Sequence, residues 1–171
     1  HRDLVDEFAG KGVKRERIVP YGIPVKDAFC TRTEQQAARS ALGIPADRMM
    51  FLVMSGSMGF GHLDRMIAQM LDVFSDRVSI YVLGGNNEKM KNRLRAQFGD
   101  RPSVVVVDFT KQVSQYMDAC DVLFTKPGGL TSTEAAVKMV PLIHTDPIPG
   151  CETKNATFFS TRGMSVSVSS L

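Results

Sequence analysis

The sequence predicts a doubly wound α/β domain, a parallel sheet of six strands with helices on both faces. Three observations carry this. Short β-rich runs alternate with helical patterns from about residue 49 onward. Several runs are continuously apolar rather than alternating, as expected of strands buried on both faces of a sheet. The helical patterns between them carry apolar stripes at three- and four-residue spacing, which crossover helices need in order to pack on that sheet.

Taken in order, residues 1–20 read as a helix and a short strand, RIVPYG, belonging to a preceding unit. GIPVKDAF (22–29) reads as a linker, and 33–42 as a helix that starts the main domain. The strands are MMFLVM (49–54), VSIYVL (78–83), SVVVVD (103–108), DVLFT (121–125), VPLIH (140–144) and MSVSV (164–168). Between the first two, Leu63, Met66, Ile67, Met70, Leu71 and Phe74 form the clearest helical stripe. Met90, Leu94 and Phe98 form the next, and Val113, Tyr116 and Met117 a shorter one. The expected division is 1–21 as the remnant of another domain, 22–48 as linker and first helix, and 49–171 as an incomplete ligand-binding domain. Both ends read as cut, since the chain opens on His1 and stops at Leu171 just after an alternating SVSVSS. Such a cut would leave apolar surface uncovered near residues 158–168.

Composition removes several classes of function. A net charge of +3 is too mild to argue for nucleic acid, and no interleaving of aromatic and basic residues offers an RNA platform. Cys30, Cys120 and Cys151 are widely spaced and form no CxxC pair, against a disulfide framework or a zinc site. No apolar run approaches the ~20 residues of a membrane span.

Topology then places a ligand. In the commonest strand order of this class the first and fourth strands are neighbours, and ligands bind beyond their carboxyl ends. The loops there are SGSMGFGH (55–62) and KPGGLTS (126–132), the two most glycine-rich in the chain. Both lead into helix N-termini, where free N–H groups and the helix dipole favour an anion. A phosphate-bearing ligand follows. The spacing G-S-M-G-F-G is not the dinucleotide G-x-G-x-x-G, the second strand ends in LGGNN without an acidic residue for an adenosine ribose, and no G-x-x-x-x-G-K-[ST] or D-x-D is present.

The stretches SGSMGFGHL, GGNNEKMKNRL, VDFTKQVSQYMDACDVLFTKPGGLTSTEA and DPIPGCETKNA resemble the carboxyl-terminal half of the lipid glycosyltransferases of glycosyltransferase family 28. These are the processive diacylglycerol glucosyltransferases and monogalactosyldiacylglycerol synthases; the resemblance runs from about Ile18 to Val168. It implies a GT-B fold of two Rossmann-like domains, this chain being the half that binds the UDP-sugar. UDP-glucose or UDP-galactose would be the donor. Diacylglycerol or a glycolipid would be the acceptor, bound by the other half at the inner, cytoplasmic face of a membrane that the enzyme touches peripherally. The transfer would be inverting, without cofactor or metal, and this stretch would hold no catalytic base. Alternatives are transfer of N-acetylglucosamine to a lipid-linked peptidoglycan precursor, a UDP-sugar 2-epimerase-like isomerase, and a non-catalytic nucleotide-binding module.

By the same resemblance Gly56, Ser57, Met58 and Gly59 lie against the diphosphate, or else make a plain turn. Gly128, Gly129, Leu130 and Thr131 receive the departing UDP. Glu134 accepts from the ribose hydroxyls, although Thr131-x-x-Glu134 is also the spacing of a capping box. Phe109 and Thr110 meet the uracil, unless Phe109 is a core residue at a strand end. Gly84, Gly85 and Asn86 form a turn that could also touch ligand. Gly150, Glu152 and Asn155 meet the donor sugar, with Cys151 standing where relatives usually carry glutamine. His62 opens a helix beside the first glycine loop, where it either stands exposed or meets a phosphate, and His144 is expected in solvent. Lys89, Lys91, Arg93 and Arg95 are expected to give one helix a basic outer face.

Overall fold

A computed structural model describes residues 1–54, 63–150 and 152–168. The main domain is a six-stranded sheet in the order β3-β2-β1-β4-β5-β6, every neighbouring pair parallel. The strands are β1 (Met49–Met54), β2 (Val78–Leu83), β3 (Val104–Val107), β4 (Val122–Thr125), β5 (Leu142–His144) and β6 (Val166–Ser167). Each lies inside its expected run, and the order reverses between β1 and β4 as the fold class requires.

The helices of the domain are α3 (Gln35–Leu42), α4 (Leu63–Phe74), α5 (Glu88–Phe98), α6 (Val113–Ala119), α7 (Gly129–Val137) and α8 (Thr153–Ser160). Before them come α1 (Leu4–Gly10) and the single turn α2 (Asp27–Cys30). Alternation along the strands divides the core in two. Met50 and Leu52 of β1, with Tyr81 and Leu83 of β2, join Ala38, Met117 and Ala135 on one face. Phe51 and Val53, with Ile80 and Val82, join Leu63, Ile67, Leu94 and Phe98 on the other. Continuous apolar runs are therefore the consequence of a strand that must satisfy two cores at once.

Side-chain caps fix two helix starts. The Asn87 carboxamide accepts from the Met90 N–H at 3.1 Å, and the Glu34 carboxylate from the Gln35 N–H at 3.1 Å. Asp121 ties the centre together, accepting from Met50 N–H at 2.6 Å, Arg39 at 2.6 Å and the Gln35 amide at 3.0 Å.

Two expectations are corrected. RIVPYG is not a strand; Arg15–Arg17 form a 3-10 turn and residues 18–26 are irregular. Pro20 cannot donate to a ladder, and among the described residues no strand pairs with the segment. Within the segment read as a linker, α2 buries Phe29 in the core. The basic outer face of α5 is broken up: Lys91 is 1% exposed and pairs with Glu88 at 2.6 Å, and Arg95 pairs with Asp108 at 2.7 Å. Lys91 shares the inward stripe of Met90 and Leu94, its stem packed in the core and its ammonium drawn to acids at the rim.

Candidate functional site at the start of helix α7

β4 ends at Thr125, and Lys126, Pro127 and Gly128 lead directly into α7. Gly128 is the N-cap, in extended backbone, and its own N–H is taken by the Lys126 carbonyl at 2.7 Å. The ladder of α7 opens with Ser132 N–H donating to Gly128 O at 3.1 Å. The N–H groups of Gly129, Leu130 and Thr131 therefore precede that ladder and have no helical partner, and they share the positive end of the dipole. Leu130 is exposed and Thr131 half-buried.

The capping box is not formed. With Gly128 at the N-cap, Thr131 is already the third helical residue and Glu134 lies in the next turn, where neither can cap. Glu134 is instead a carboxylate 8% exposed, its pKa raised by burial against a smaller opposing pull from Lys26. A helix end does not account for it.

The segment after β5 closes on this loop. Glu152 accepts from Ile148 N–H at 3.0 Å through one oxygen and pairs with Lys126 at 2.9 Å through the other. Asn155 donates to the Pro127 carbonyl at 3.0 Å. Both side chains are thus engaged with the protein, and Gly150 turns the segment with a φ of 77°.

On the other side of β1 lies a cavity of about 600 Å³ at the carboxyl ends of β1, β2 and β3. Met54, Leu83, Gly84, Gly85, Asn86, Asn87, Asp108, Phe109, Thr110 and Val113 line it. Phe109 is 60% exposed, so the core reading of that residue is corrected; it stands at the rim. The Thr110 hydroxyl accepts from Gln112 N–H at 3.0 Å. Asp108 is held below the usual carboxylate range by its bond to Arg95, with Lys91 adding to it. The glycines after β2, expected chiefly to turn the chain, form one wall.

Gly56, Ser57, Met58, Gly59, His62 and Cys151 lie outside the described residues. The sequence reading overlooked Lys126, although it is the one charged residue between β4 and α7. It also placed His144 in solvent, whereas His144 is wholly buried. A residue ending a strand reads as exposed until a helix is known to cover it. Among the described residues, no group of three or more His, Cys, Asp or Glu could hold a metal, and no helix is long and apolar enough to cross a membrane.

Residues 50–167 match the family model described as glycosyltransferase family 28 C-terminal domain. The chain is 33% identical over 165 residues to a processive diacylglycerol beta-glucosyltransferase of Staphylococcus saprophyticus, covering 94% of this chain and 41% of that protein. It thus spans about two fifths of the length of that curated relative. Among solved structures it resembles a glycosyltransferase from Rickettsia africae (TM-score 0.68, 12% identity, 98% of this chain and 47% of that one). It also resembles MurG of Acinetobacter baumannii (TM-score 0.63, 19% identity, 88% and 45%). At those identities the likeness is one of fold.

Proposed function

Since the chain belongs to glycosyltransferase family 28 and carries its C-terminal domain, we propose that it is the donor-binding half of a hexosyltransferase, taking a hexose from UDP-glucose or UDP-galactose to diacylglycerol or a glycolipid at a membrane surface. The observation that carries the reading is the start of α7, with three N–H groups ahead of the ladder and a buried carboxylate one turn further on. The relatives named as diacylglycerol glucosyltransferases support the class of acceptor.

In the proposed reaction an acceptor hydroxyl attacks the anomeric carbon as the bond to the UDP oxygen breaks. The electron pair leaves with the diphosphate, and the proton goes to a base in the other half of the enzyme. Negative charge grows on the diphosphate as the sugar departs. The N–H groups of Gly129, Leu130 and Thr131 and the dipole of α7 are preorganised to receive it. Glu134 accepts from the ribose hydroxyls, as a carboxylate can through both oxygens. The cavity edged by Phe109 and Thr110 takes the uracil. Glu152 and Asn155 meet the sugar and hold the 148–155 segment against the phosphate loop. Residues 1–21 are assigned to the preceding acceptor domain, 22–48 to the linker and first helix, and 49–171 to the donor domain.

Calorimetric titration with UDP, with Glu134→Ala in parallel, tests this. Burial outweighs the pull of Lys26 on this carboxylate, so it does not stabilise the fold and the variant is expected to fold at least as well as wild type. Binding by wild type that weakens tenfold or more in the folded variant, on the order of two lost hydrogen bonds, is the expected outcome. Equal affinities would remove Glu134 from the site. A folded wild-type chain that ignores UDP would refute donor binding by this half alone.

A further inference from the structure

The three N–H groups ahead of the α7 ladder are useful only if its first turn is held at a fixed height above the sheet. One side chain reaches back from that turn. Ser132 is 0% exposed, and its Oγ lies 2.9 Å from Nε2 of His144, the last residue of β5. The His144 ring, also 0% exposed, meets Phe159 of α8 edge-on, with centroids 5.7 Å apart and planes at 86°. A single imidazole therefore touches both helices that carry the proposed donor contacts. α7 bears Gly129–Thr131 and Glu134; α8 bears Asn155 and has Glu152 at its N-cap.

The other ring nitrogen, Nδ1, is buried without a partner. An orphaned acceptor is more easily tolerated than an orphaned N–H. The tautomer that fits is therefore Nε2–H donating to Ser132 Oγ, with a bare lone pair on Nδ1. Protonation would bury an N–H with nothing to bond and set a positive charge behind the positive end of α7. The groups facing the ring carry little to offset it. Ser132 of α7, Phe159 of α8, and Thr125 of β4 and Ser167 of β6 in register with His144 are all uncharged. Among the described residues, Glu152 is the charge that acts on it, and it is already paired with Lys126.

We propose that His144 is a positioning residue of the donor site, pinning the first turn of α7 to β5 through Ser132 and bracing α8 through Phe159. The proposal rests on the donor-site reading of α7. Burial lowers the pKa of His144 from its ordinary value, with Glu152 opposing the shift. The unfolded chain takes up this proton near pH 6.5 and the folded chain only at lower pH. Stability carried by the neutral ring is therefore complete above about pH 6.5. It falls as pH drops below that value and levels off beneath the folded pKa.

The experiment is performed on the 171-residue chain without ligand, by ¹⁵N NMR of the histidine rings and hydrogen exchange of the Ser132–Ala135 amides between pH 5 and 8. It compares wild type with His144→Phe, which fills the space without the bond, and His144→Gln, whose amide can replace the bond but does not titrate. His144 is expected to be neutral at pH 7 with Nδ1 bare. The α7 amides should lose about tenfold of their protection in His144→Phe, the size of one buried hydrogen bond, while sheet amides keep theirs. They should lose protection in wild type as pH falls through the titration, and show no such step in His144→Gln. UDP affinity, measured alongside, should follow the same pattern. A ring that titrates near pH 6.5 without effect on α7, or unchanged α7 protection in His144→Phe, would overturn the proposal. Because protection is read without ligand, a failure of UDP binding would refute the donor-site reading separately.

Discussion

Gly128 and Gly129 sit side by side, yet they are glycines for different reasons. A Cβ on Gly129 would stand 3.0 Å from Ile23 Cδ1 and 3.7 Å from Asn155 Nδ2, so the linker and α8 already occupy its side-chain space. Gly128 has φ −70° and ψ 136°, open to any residue, and a Cβ there would meet only Glu152 Oε1, at an ordinary 3.7 Å. Neither backbone nor packing excludes a side chain at that position, which fits the close approach of a diphosphate proposed above. Gly128→Ala is therefore expected to leave the melting temperature within about 2 °C of wild type, as for a change well under 1 kcal/mol. It should weaken UDP binding about tenfold, equivalent to ~1.4 kcal/mol. Thermal melts with calorimetry check both; a variant that binds as wild type would return Gly128 to the role of a turn. In sequence the pair was indistinguishable, because the contact that separates them comes from residue 23, over a hundred positions away. The capping box misled for a related reason. Thr-x-x-Glu fixes a spacing, but not where the helix starts, and Gly128 starts it three residues early.

Helix endings were more legible than helix beginnings. α3 and α7 close in the same way, with a residue in the left-handed region and two reversed backbone bonds. In α3 these run from Gly43 N–H to Ser40 O and Ile44 N–H to Arg39 O; in α7, from Met139 N–H to Ala136 O and Val140 N–H to Ala135 O. The first case has Gly43 at φ 66°, an ending readable from sequence. The second forces Met139 to φ 55°, where a side chain is strained, and leaves that side chain 67% exposed. Met139→Gly is accordingly expected to stabilise the chain by about 1 kcal/mol, seen as a higher denaturant midpoint at unchanged slope. Strands were legible where they were long and apolar: β1 and β2 occupy their expected runs end to end. RIVPYG failed because a short apolar run says nothing about whether a neighbouring strand is available.

Across the whole molecule, the order of the sheet followed from the class and the alternation, but the ties between layers did not. Lys138 of α7's end reaches Asp118 of α6 at 2.7 Å and the Thr31 carbonyl after α2, with both charged side chains at or below 1% exposure. One ammonium thus ties an acid 20 positions away and a carbonyl 107 positions away, and no local pattern marks either partner. Lys138→Met would strand the Asp118 carboxylate in the interior and is expected to cost about 3–5 kcal/mol in denaturant unfolding. Adding Asp118→Asn should restore most of that loss, since the uncompensated charge is then gone. A single variant as stable as wild type would show that the pair contributes nothing net.

The ladder between β1 and β4 ends with Met54 opposite Thr125. The two strands therefore end abreast, separated by one strand spacing of about 4.8 Å. That alignment acts as a ruler cut into the backbone. Substitutions in the helices change what stands on it but leave its graduations alone. Inserting or deleting one residue in either strand would slide one exit past the other by ~3.3 Å and turn its last side chain to the opposite face. The fold can therefore accept wide variation in the residues around the crevice while holding the lengths of these two strands fixed.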